Sequence, residues 1–480
     1  MSGLSFRDPE NQAFDCDGSW FRVAEPASAE ALRKLRSSST YSSLTGLGLL
    51  PEFSEVEPSL VADLLACAHD RLTRAPGPES TLFRVATLPV ITYPWEWPNG
   101  MLAEAALATI RVRRELLAIG LDLKDASAFN IQFRGSRPVL MDVGSIKVWR
   151  PSPGWSAGRQ FMDHFINPLA VGSSEYVSSA DAWCLGSSTG VTSQQARSLM
   201  PAGLRRHLGL LLLQSSTRAI EGHVPVETRY GDQATANPDL ARRATLSYTS
   251  RLEKHVRKLS KAKHKTTWAQ YGSREHYQPD NLQQKTKWAV DFVDQFANGD
   301  GPVLDVGGND GLIGSRIAER LQLPVVVLDP DTGALEALWE SVQRSSENDE
   351  RITPLVGDLT QTSVGAGLLG LEFSAVKDRL RPSAVLCQAV LHHLTITQGI
   401  PLALSVRALA QFKAPLQVEI ATQDDDKVKL LLSQIPNWSG DYSENAVVAA
   451  LRNEFEHVQK IGHATPTRVV LNCSRPRGIE

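Results

Sequence analysis

The chain has few cysteines, and none of them forms a closely spaced pair. Five are scattered over 480 residues without any C-x-x-C: Cys16, Cys67, Cys184, Cys387 and Cys473. Zinc sites and thiol–disulfide motifs need closely spaced cysteines, and disulfide-stapled folds are dense in them. This scarcity argues against a metal site and against a disulfide framework, and it predicts a protein of the reducing cytoplasm.

Long apolar runs and an excess of one charge are also absent. No stretch approaches the roughly 20 apolar residues that span a bilayer, and the first residues, MSGLSFRDPENQ, are too polar for a signal peptide. With 50 Lys and Arg against 53 Asp and Glu, the formal net charge is −3. No overall field therefore attracts nucleic acid. These absences argue against a membrane partner and against a nucleic-acid partner.

A chain of this length is expected to fold as more than one domain. Composition marks a polar linker at Thr228–Asp239, followed by a predicted helix, Leu240–Lys258, and a basic stretch, Lys254–Lys265. The basic stretch has two interpretations, an anion or nucleic-acid contact and a solvated linker face. The acidic total charge favours the solvated face.

The most informative segment is Pro302–Gly314, PVLDVGGNDGLIG. An apolar strand, Pro302–Val306, runs into a glycine-rich turn, and a predicted helix, Leu312–Leu321, follows. The turn lacks the G-x-G-x-x-G spacing that places a pyrophosphate on a helix N-terminus. It begins instead with Asp305, which would repel an anion. A cationic ligand suits this turn better, and the alternative is a purely structural turn.

Acidic residues follow the next two predicted strands. The apolar stretch PVVVLD ends on Asp329, 24 residues after Asp305. An acid at about this distance from a glycine loop can hold a pair of ribose hydroxyls. Arg351–Leu359, RITPLVGDL, predicts a third strand followed by Asp358. The pattern indicates a cofactor that contains a nucleoside.

The remaining C-terminal segments continue an α/β pattern. Ala384–Leu394, AVLCQAVLHHL, predicts a buried fourth strand that enters a loop, and Leu416–Ile420 predicts a fifth. Phe455–Gly462 and Thr467–Cys473 are typical of a terminal antiparallel pair. Strands that alternate with helical segments predict a doubly wound α/β domain. Ligands of such folds bind beyond the carboxyl ends of the strands.

The N-terminal half contains a different set of polar residues. Asp125, in LKDASAFNI, is followed five residues later by Asn130 and then by Asp142 in VLMDVGS. The spacing resembles the catalytic loop and D-F-G segment of kinases, where one Asp orients a hydroxyl while Asn and the second Asp hold Mg²⁺. Leu102–Ile119 predicts the long buried helix before such a loop, and Thr92–Trp97 lies where a hinge would run.

Other kinase features are missing from this half. Before residue 90 there is no G-x-G-x-x-G and no V-A-I-K strand, and Leu123-Lys124 replaces His-Arg. Three interpretations stay open: a kinase-like α+β scaffold without phosphotransfer, which we favour, a working phosphotransferase, and a coincidental pattern. Asp125, Asn130 and Asp142 are then either structural or substrate-binding residues.

Segments along nearly the whole chain, in order, resemble bacterial nodulation-protein-like class I S-adenosylmethionine (SAM) methyltransferases. They are FRDPENQAF, ITYPWEW, LKDASAFNIQF, RPVLMDVGSI, RQFMDHFINPLA, TTWAQYGSREHY, DVGGNDG, LHHL and VEIATQDDDKVKLLL. The resemblance implies a C-terminal Rossmann-like domain with a seven-stranded sheet and a terminal antiparallel hairpin. It also implies SAM as cofactor and methyl transfer to a small molecule, and it leaves the acceptor open.

The predicted domains follow from the motifs and the linker. We predict a kinase-like accessory or substrate domain at 1–230, a basic helical linker with a candidate lid at 231–285, and a SAM-dependent methyltransferase domain at 286–480. The predicted cofactor-binding residues are Asp305, Gly307, Asn309, Gly311, Asp329, Asp358, Gln388 and Tyr277. The predicted substrate-binding residues are Asp125, Asn130, Asp142 and Trp268. Tyr277 and Trp268 are interpreted either as part of a lid or as packing residues.

Catalysis is assigned to the ends of the fourth and fifth strands. His392 and His393 follow the fourth strand, where the acceptor should lie, and a histidine pKa near neutrality suits a general base. Because the two are adjacent, we expect only one of them to face the cleft. Glu419 is a second candidate base. The alternative functions are an ATP-binding phosphotransferase, a non-catalytic binding protein and, with less support, a Rossmann dehydrogenase.

Overall fold

The N-terminal half opens with a four-stranded antiparallel sheet. The computed structural model describes residues 8, 10–68, 71–151, 154–174, 177–201, 203, 238–261, 279–297, 299, 301–345, 350–370, 372–435 and 437–478. The sheet has the order β1-β2-β4-β3. Its strands are β1 (Asn11–Cys16), β2 (Ser19–Ala24), β3 (Phe53–Glu55) and β4 (Thr81–Val85). Phe14, Phe21 and Leu82 on one face are buried together, which follows from the alternation of apolar residues along each strand.

A disulfide links this sheet to the helix beside it, contrary to the sequence prediction. Cys16, at the end of β1, is bonded to Cys67, and their Cα atoms lie 6.2 Å apart. The prediction of no disulfide is wrong because it considered spacing along the chain, whereas packing of the apolar residues around Phe14 and Ala68 brings the two cysteines together. The prediction of a reducing cytoplasm loses the support it took from unpaired cysteines.

A long buried helix forms the centre of the N-terminal half. It runs from Asn99 to Ala118, close to the predicted Leu102–Ile119, and Gly120 with a φ of +72° follows it. The helices here are α1 (Pro26–Arg36), α2 (Ser39–Gly46), α3 (Pro58–Cys67), α4 (Asn99–Ala118), α5 (Gly158–Phe161), α6 (Asn167–Gly172), α7 (Ser179–Gly186) and α8 (Ser193–Leu199). Two short antiparallel pairs complete this half: β5 (Leu121–Leu123) with β8 (Ile146–Val148), and β6 (Ile131–Arg134) with β7 (Arg137–Leu140).

The segment predicted to be a linker helix packs on α4. It forms α9 (Pro238–Leu259). Arg113 of α4 donates to Thr249 Oγ1 at 2.7 Å and to Asp122 Oδ1 at 2.7 Å, and all three side chains are buried. Arg242 donates to the carbonyl oxygen of Leu117 at 3.1 Å, which caps the end of α4. The helix therefore extends the packing of the N-terminal half.

The C-terminal half is built on a seven-stranded mixed sheet. Its order is β11-β10-β9-β12-β13-β15-β14, with β15 antiparallel to both of its neighbours and the remaining pairs parallel. The strands are β9 (Val303–Val306), β10 (Val325–Asp329), β11 (Ile352–Val356), β12 (Ala384–Gln388), β13 (Leu416–Ala421), β14 (Phe455–Thr465) and β15 (Arg468–Pro476). The seven strands and the terminal hairpin that the methyltransferase resemblance implies are confirmed.

Helices cover this sheet as the α/β pattern predicts. They are α10 (Pro279–Phe296), α11 (Leu312–Leu321), α12 (Thr332–Arg344), α13 (Val376–Leu380), α14 (Leu402–Ala410), α15 (Asp426–Ser433) and α16 (Glu444–Glu454). Strands β9, β10, β12 and β13 are buried along their whole length, because helices lie on both faces of parallel sheets. Among the helices of the described ranges, none is long and apolar enough to cross a bilayer.

The two halves share one apolar core and several polar contacts. Phe373, on the chain between β11 and β12, stacks on Phe129 of the N-terminal half with ring centroids 4.6 Å apart. Arg379 forms a buried ion pair with Glu96, and the hydroxyl of Tyr93 accepts from the backbone N–H of Ser374 at 2.9 Å. The predicted hinge segment Thr92–Trp97 therefore lies against the C-terminal half.

Candidate functional site

The glycine loop after β9 packs closely against the side chains of Val390 and Asp305. A Cβ on Gly307 would lie 2.2 Å from Cγ2 of Val390, and a Cβ on Gly308 would lie 2.8 Å from the carboxyl group of Asp305. Gly307 and Gly311 have φ values of +66° and +68°, which glycine adopts readily. The loop needs glycine for its backbone conformation and for space, because a Cβ at position 307 or 308 would clash with Val390 or Asp305. We refer to the loop Gly307–Gly311 as the cradle.

Asp305 lies beneath this cradle. It sits on the central strand β9, opposite Val327 of β10 and Leu386 of β12, and it is 1 % exposed. The charge of its carboxylate acts on Cys387 of the neighbouring strand β12. Burial, and then the charge of Asp305, raise the pKa of Cys387 to about 12. A carboxylate at the carboxyl end of the central parallel strand, directly below a glycine loop, fits a ligand that carries a positive charge.

Asp329 fixes the shape of the loop. One of its carboxylate oxygens accepts from the backbone N–H of Asn309 at 2.8 Å, and the other accepts from the N–H of Asp331 at 2.8 Å. Burial raises the pKa of Asp329 to about 6. Asn309 has a φ of +51°, a conformation that asparagine tolerates better than most residues. Each oxygen retains a second lone pair, so the predicted contact with ribose hydroxyls is compatible with this arrangement.

Asp358 stands at the corresponding end of β11. Its Oδ1 accepts from the backbone N–H and the hydroxyl of Thr360, at 2.8 and 2.9 Å, and so caps a short 3₁₀ turn, Leu359–Gln361. The carboxyl ends of β9, β10 and β11 therefore carry Asp305, Asp329 and Asp358 in turn. Because parallel strands end at one edge of a sheet, the three acids line that edge, as the sequence predicts.

Gln388 and Glu419 occupy the ends of β12 and β13, opposite each other in register. Gln388 Nε2 donates to Gln417 Oε1 at 3.1 Å, whereas its buried Oε1 has no hydrogen-bond partner among the described residues. Glu419 is fully buried and forms an ion pair with Lys285 of α10. The assignment of Glu419 as a general base stays a prediction, and the ion pair gives this residue a structural role as well.

The two histidines follow β12 on a tight turn. Ala389, immediately after the strand, has a φ of +60°, and the rings of His392 and His393 lie 4.2 Å apart between centroids. His392 is 3 % exposed, and no described residue pairs with its Nδ1. Burial, then the neighbouring His393 and Arg468, lower the pKa of His392 to about 3. His392 is therefore a neutral imidazole at physiological pH, with a ring nitrogen available to a ligand.

Sequence reasoning did not assign Tyr442 or Arg468 to this site. Tyr442, on the loop before α16, is 1 % exposed, and its hydroxyl has no hydrogen-bond partner in the described part of the chain. Arg468 of β15 donates to Asp425 Oδ2 at 2.9 Å. Charges of both Arg468 and Asp425 act on the pKa of Tyr442 and on that of His392, so both side chains lie near the Arg468–Asp425 ion pair. Tyr442 belongs to no motif, and only the folded chain brings it here.

The N-terminal set forms a separate cluster. Asp125 and Asp142 are close enough that burial, and then the charge of Asp142, raise the pKa of Asp125 to about 6. Arg22 of β2 forms an ion pair with Asp142 at 2.5 Å. The backbone N–H of Met141 donates to the Asn130 carbonyl at 2.8 Å, which joins the two halves of the motif. The kinase-like pattern folds into one cluster, but an arginine neutralises the acid that would hold Mg²⁺.

Two predicted ligand residues, Tyr277 and Trp268, lie outside the described residues. Among the residues that the structure describes, no group of three or more His, Cys, Asp and Glu side chains could hold a metal ion. The site in the C-terminal half is thus defined by three acids, the glycine loop and the polar side chains after β12.

Comparison with known proteins gives one similar chain of nearly equal length. Nodulation protein NoeA of Rhizobium meliloti (strain 1021) is 29% identical over 467 residues, which is 95% of this chain and 92% of NoeA. No family model matches the chain. The chain is a homologue of NoeA over almost its whole length.

Solved structures match the chain over a smaller part. The structures of EvdMO1, of the magnesium protoporphyrin IX methyltransferase ChlM from Synechocystis PCC 6803 with bound SAH, and of the N-methyltransferase NodS from Bradyrhizobium japonicum WM9 are 16%, 16% and 13% identical. The matches cover 40%, 41% and 42% of this chain and 41%, 84% and 98% of those chains, with TM-scores of 0.29, 0.28 and 0.28. Such scores carry no inference, and the fold assignment rests on the strand order.

Proposed function

We propose that the chain is a SAM-dependent methyltransferase that acts on a small-molecule acceptor, such as a secondary metabolite or a carbohydrate-like compound. The observation that carries the proposal is the position of Asp305 beneath a glycine cradle, with Asp329 bonded to the same loop. A carboxylate in this place attracts a cation and disfavours a pyrophosphate. Similarity to a nodulation protein supports a role in a nodulation-related modification.

The residues present fit SAM, which when bound supplies an already activated methyl group. Asp305 would attract the ammonium of its methionine part, and Asp329 would accept from the ribose hydroxyls. Asp358, at the neighbouring strand end, would face the adenine. Glycines at positions 307 and 308 let the loop pack closely on Val390 and Asp305, because no Cβ intervenes. The protein's contribution to transfer is then to orient the acceptor and exclude water.

Calorimetric titration with S-adenosylhomocysteine (SAH) tests the cofactor assignment. The wild type should bind SAH, and Asp305→Asn should bind it at least ten times more weakly, because the carboxylate charge is lost. Glu319→Gln is a matched control that removes one exposed carboxylate, paired with Arg316, from α11 of the same half. Its affinity for SAH should equal that of the wild type. An Asp305→Asn variant with wild-type affinity would count against the proposal.

The competing functions are tested by thermal stabilisation, since a ligand that binds the folded state raises the melting temperature. SAH should stabilise the wild type, whereas ATP–Mg²⁺ and NADH should not. The ion pair of Arg22 with Asp142 supports this ranking, because it occupies an acid that a phosphotransferase needs for its metal. Stabilisation by ATP–Mg²⁺ without SAH would support a phosphotransferase or a nucleotide-binding protein instead.

A further inference from the structure

Three buried polar atoms at the carboxyl ends of β12 and β13 lack hydrogen-bond partners within the described ranges. They are Oε1 of Gln388, Nδ1 of His392 and the hydroxyl of Tyr442. The residues are 9 %, 3 % and 1 % exposed. Folded proteins satisfy the great majority of buried polar atoms, so each exception calls for a physical reason. Two of them, Nδ1 of His392 and the hydroxyl of Tyr442, lie near the same ion pair, Arg468 with Asp425 at the carboxyl end of β13. A ligand that completes their hydrogen bonds explains both.

The charged groups around these atoms are already paired with one another. Lys285 pairs with Glu419, and Arg468 pairs with Asp425 at 2.9 Å. Burial acts to raise the pKa of Asp425, but the hydrogen bonds and charge of Arg468, with hydrogen bonds from Lys427 and Thr467, together lower it. His392 is neutral because burial, and then His393 and Arg468, lower its pKa, and burial raises the pKa of Tyr442. The unpartnered atoms therefore belong to three neutral side chains among compensated charges.

Building on the proposed function, we infer that His392 and Tyr442 form the acceptor subsite, and that the group methylated there is a neutral hydroxyl. A hydroxyl both donates and accepts a hydrogen bond. It can donate to Nδ1 of His392 while it accepts from the hydroxyl of Tyr442. The two side chains thereby offer one hydroxyl oxygen both kinds of partner.

Charged acceptors fit this subsite less well. A carboxylate would need a cation, but Lys285 and Arg468 are held by Glu419 and Asp425. An ammonium would need an anion, and both of those acids are engaged in turn. Burying a charge without a counter-charge is much more costly than burying a hydrogen-bonded hydroxyl. The subsite thus selects against both charged classes.

Transfer to a hydroxyl can be balanced with the groups present. The acceptor oxygen forms a bond to the methyl carbon as the carbon–sulfur bond breaks, and its proton passes to Nδ1 of His392 and then to solvent. Tyr442 acts as a positioning residue by donating to the oxygen. A weakly basic imidazole is sufficient as a proton acceptor if the proton leaves after most of the carbon–oxygen bond has formed.

The test compares Tyr442→Phe with Tyr41→Phe. Tyr41 is a matched control because its hydroxyl has structural hydrogen bonds, to the backbone N–H and carbonyl of Phe53 at 2.9 and 3.3 Å. Loss of a bonded hydroxyl leaves its partners unsatisfied, whereas loss of an unpartnered one does not. Tyr41→Phe should therefore lower the melting temperature. Tyr442→Phe should leave it unchanged or raise it, and should bind SAH within twofold of the wild type.

Transfer is measured with [methyl-³H]SAM and a small-molecule extract of the cells that naturally produce the protein. Wild type should label a compound whose methyl group survives mild alkali, as an ether does, and which does not become a cation in acid. Tyr442→Phe should label it at least ten times more slowly.

Each other outcome is decisive in a different way. The acceptor subsite would be overturned, and the methyltransferase assignment left intact, if the product were an alkali-labile methyl ester or an N-methyl compound. The same holds if Tyr442→Phe transferred the label as fast as the wild type, or if the melting temperature of Tyr442→Phe fell as much as that of Tyr41→Phe. Failure of the wild type to bind SAH or to transfer any label would instead overturn the proposed function, and the subsite with it.

Discussion

The backbone N–H of Asn309 donates to the carboxylate of Asp329 at 2.8 Å, so the end of β10 holds the glycine loop that follows β9. Asp329 is thus both a predicted ligand of the ribose and a support of the loop that covers Asp305. Binding of the nucleoside and the shape of the cradle depend on the same carboxylate. A substitution in the loop or at Asp329 should therefore impair both nucleoside binding and the loop conformation.

Asp329→Ala should weaken SAH binding by at least tenfold and lower stability. The carboxylate accepts two backbone N–H groups, and hydrogen bonds to a charged group each contribute about 1.5–3 kcal/mol. The charge is buried, with a pKa raised to about 6, so part of this loss is recovered when the variant no longer buries a carboxylate. Calorimetry and urea unfolding measure the two effects. A variant with unchanged SAH affinity would show that Asp329 has no part in binding.

Gly307→Ala should disrupt the cradle more than its backbone conformation alone explains. Gly399 is the matched control, since its φ of +69° is similar but a Cβ there meets nothing within 4 Å. Gly399→Ala should cost about 1–2 kcal/mol, the usual penalty for a left-handed residue with a side chain. Gly307→Ala adds a 2.2 Å clash with Val390. It should be less stable than Gly399→Ala in urea unfolding and should lose SAH binding, and equal stability of the two would contradict the tight fit.

The ion pair between Arg379 and Glu96 should be the most sensitive contact between the halves. Both side chains are buried, 5% and 6% exposed. Arg379→Met therefore leaves the Glu96 carboxylate buried without its counter-charge and should lower the free energy of unfolding by about 3–5 kcal/mol, measured in urea. Arg33→Met is the matched control, because its ion pair with Glu55 is exposed and should contribute about 1 kcal/mol or less. The double variant Glu96→Gln, Arg379→Met should regain stability over the single one. A cost for Arg379→Met no larger than the control's would contradict burial of this pair.

The disulfide between Cys16 and Cys67 should stabilise the N-terminal sheet. It closes a loop with a sequence separation of 51, and a crosslink of that size typically contributes about 2–4 kcal/mol. The double variant Cys16→Ser, Cys67→Ser should therefore melt at lower temperature under oxidising conditions, whereas Cys184→Ser, at an exposed free cysteine, should not. Mass spectrometry after alkylation without reductant should find these two thiols protected. Alkylation of both in the native protein would contradict the bond.

Acid should destabilise the protein in part through His392. Its folded pKa of about 3 lies below the value of about 6.5 for an unfolded histidine. The unfolded chain therefore binds a proton that the folded chain excludes, and stability falls as pH drops from about 6.5 towards 3. His392→Gln should move the midpoint of acid unfolding to lower pH, whereas His457→Gln, at an exposed position on β14, should not. An unchanged midpoint for His392→Gln would mean that this histidine is accessible to protons in the fold.

The central strands of the C-terminal sheet were predictable because each is an apolar run followed by a distinctive turn. PVLDV and PVVVLD are buried along both faces, so their composition alone identifies them as central parallel strands. The acids that end them are adjacent to their strands in sequence, which is why Asp305 and Asp329 could be assigned to one edge. Local pattern was sufficient wherever strand and site residue lie within a few positions of each other.

Partnerships between distant residues could not be predicted in this way. Lys285 and Glu419 are 134 positions apart, and Arg379 and Glu96 are 283 apart. The disulfide between Cys16 and Cys67 was not predicted for the same reason. Tyr442 has no neighbouring motif, and its place near the Arg468–Asp425 ion pair follows only from how its loop packs into the apolar core. Such pairs depend on how complete elements pack, which the spacing of residues along the chain does not reveal.

A crystal structure of the wild type with SAH tests the central claim most directly. The account predicts SAH at the carboxyl ends of β9 and β10, with its ammonium beside Asp305 and its ribose hydroxyls on Asp329. Crystals grown with saturating SAH that leave this edge empty, or a nicotinamide dinucleotide bound there in its place, would contradict it.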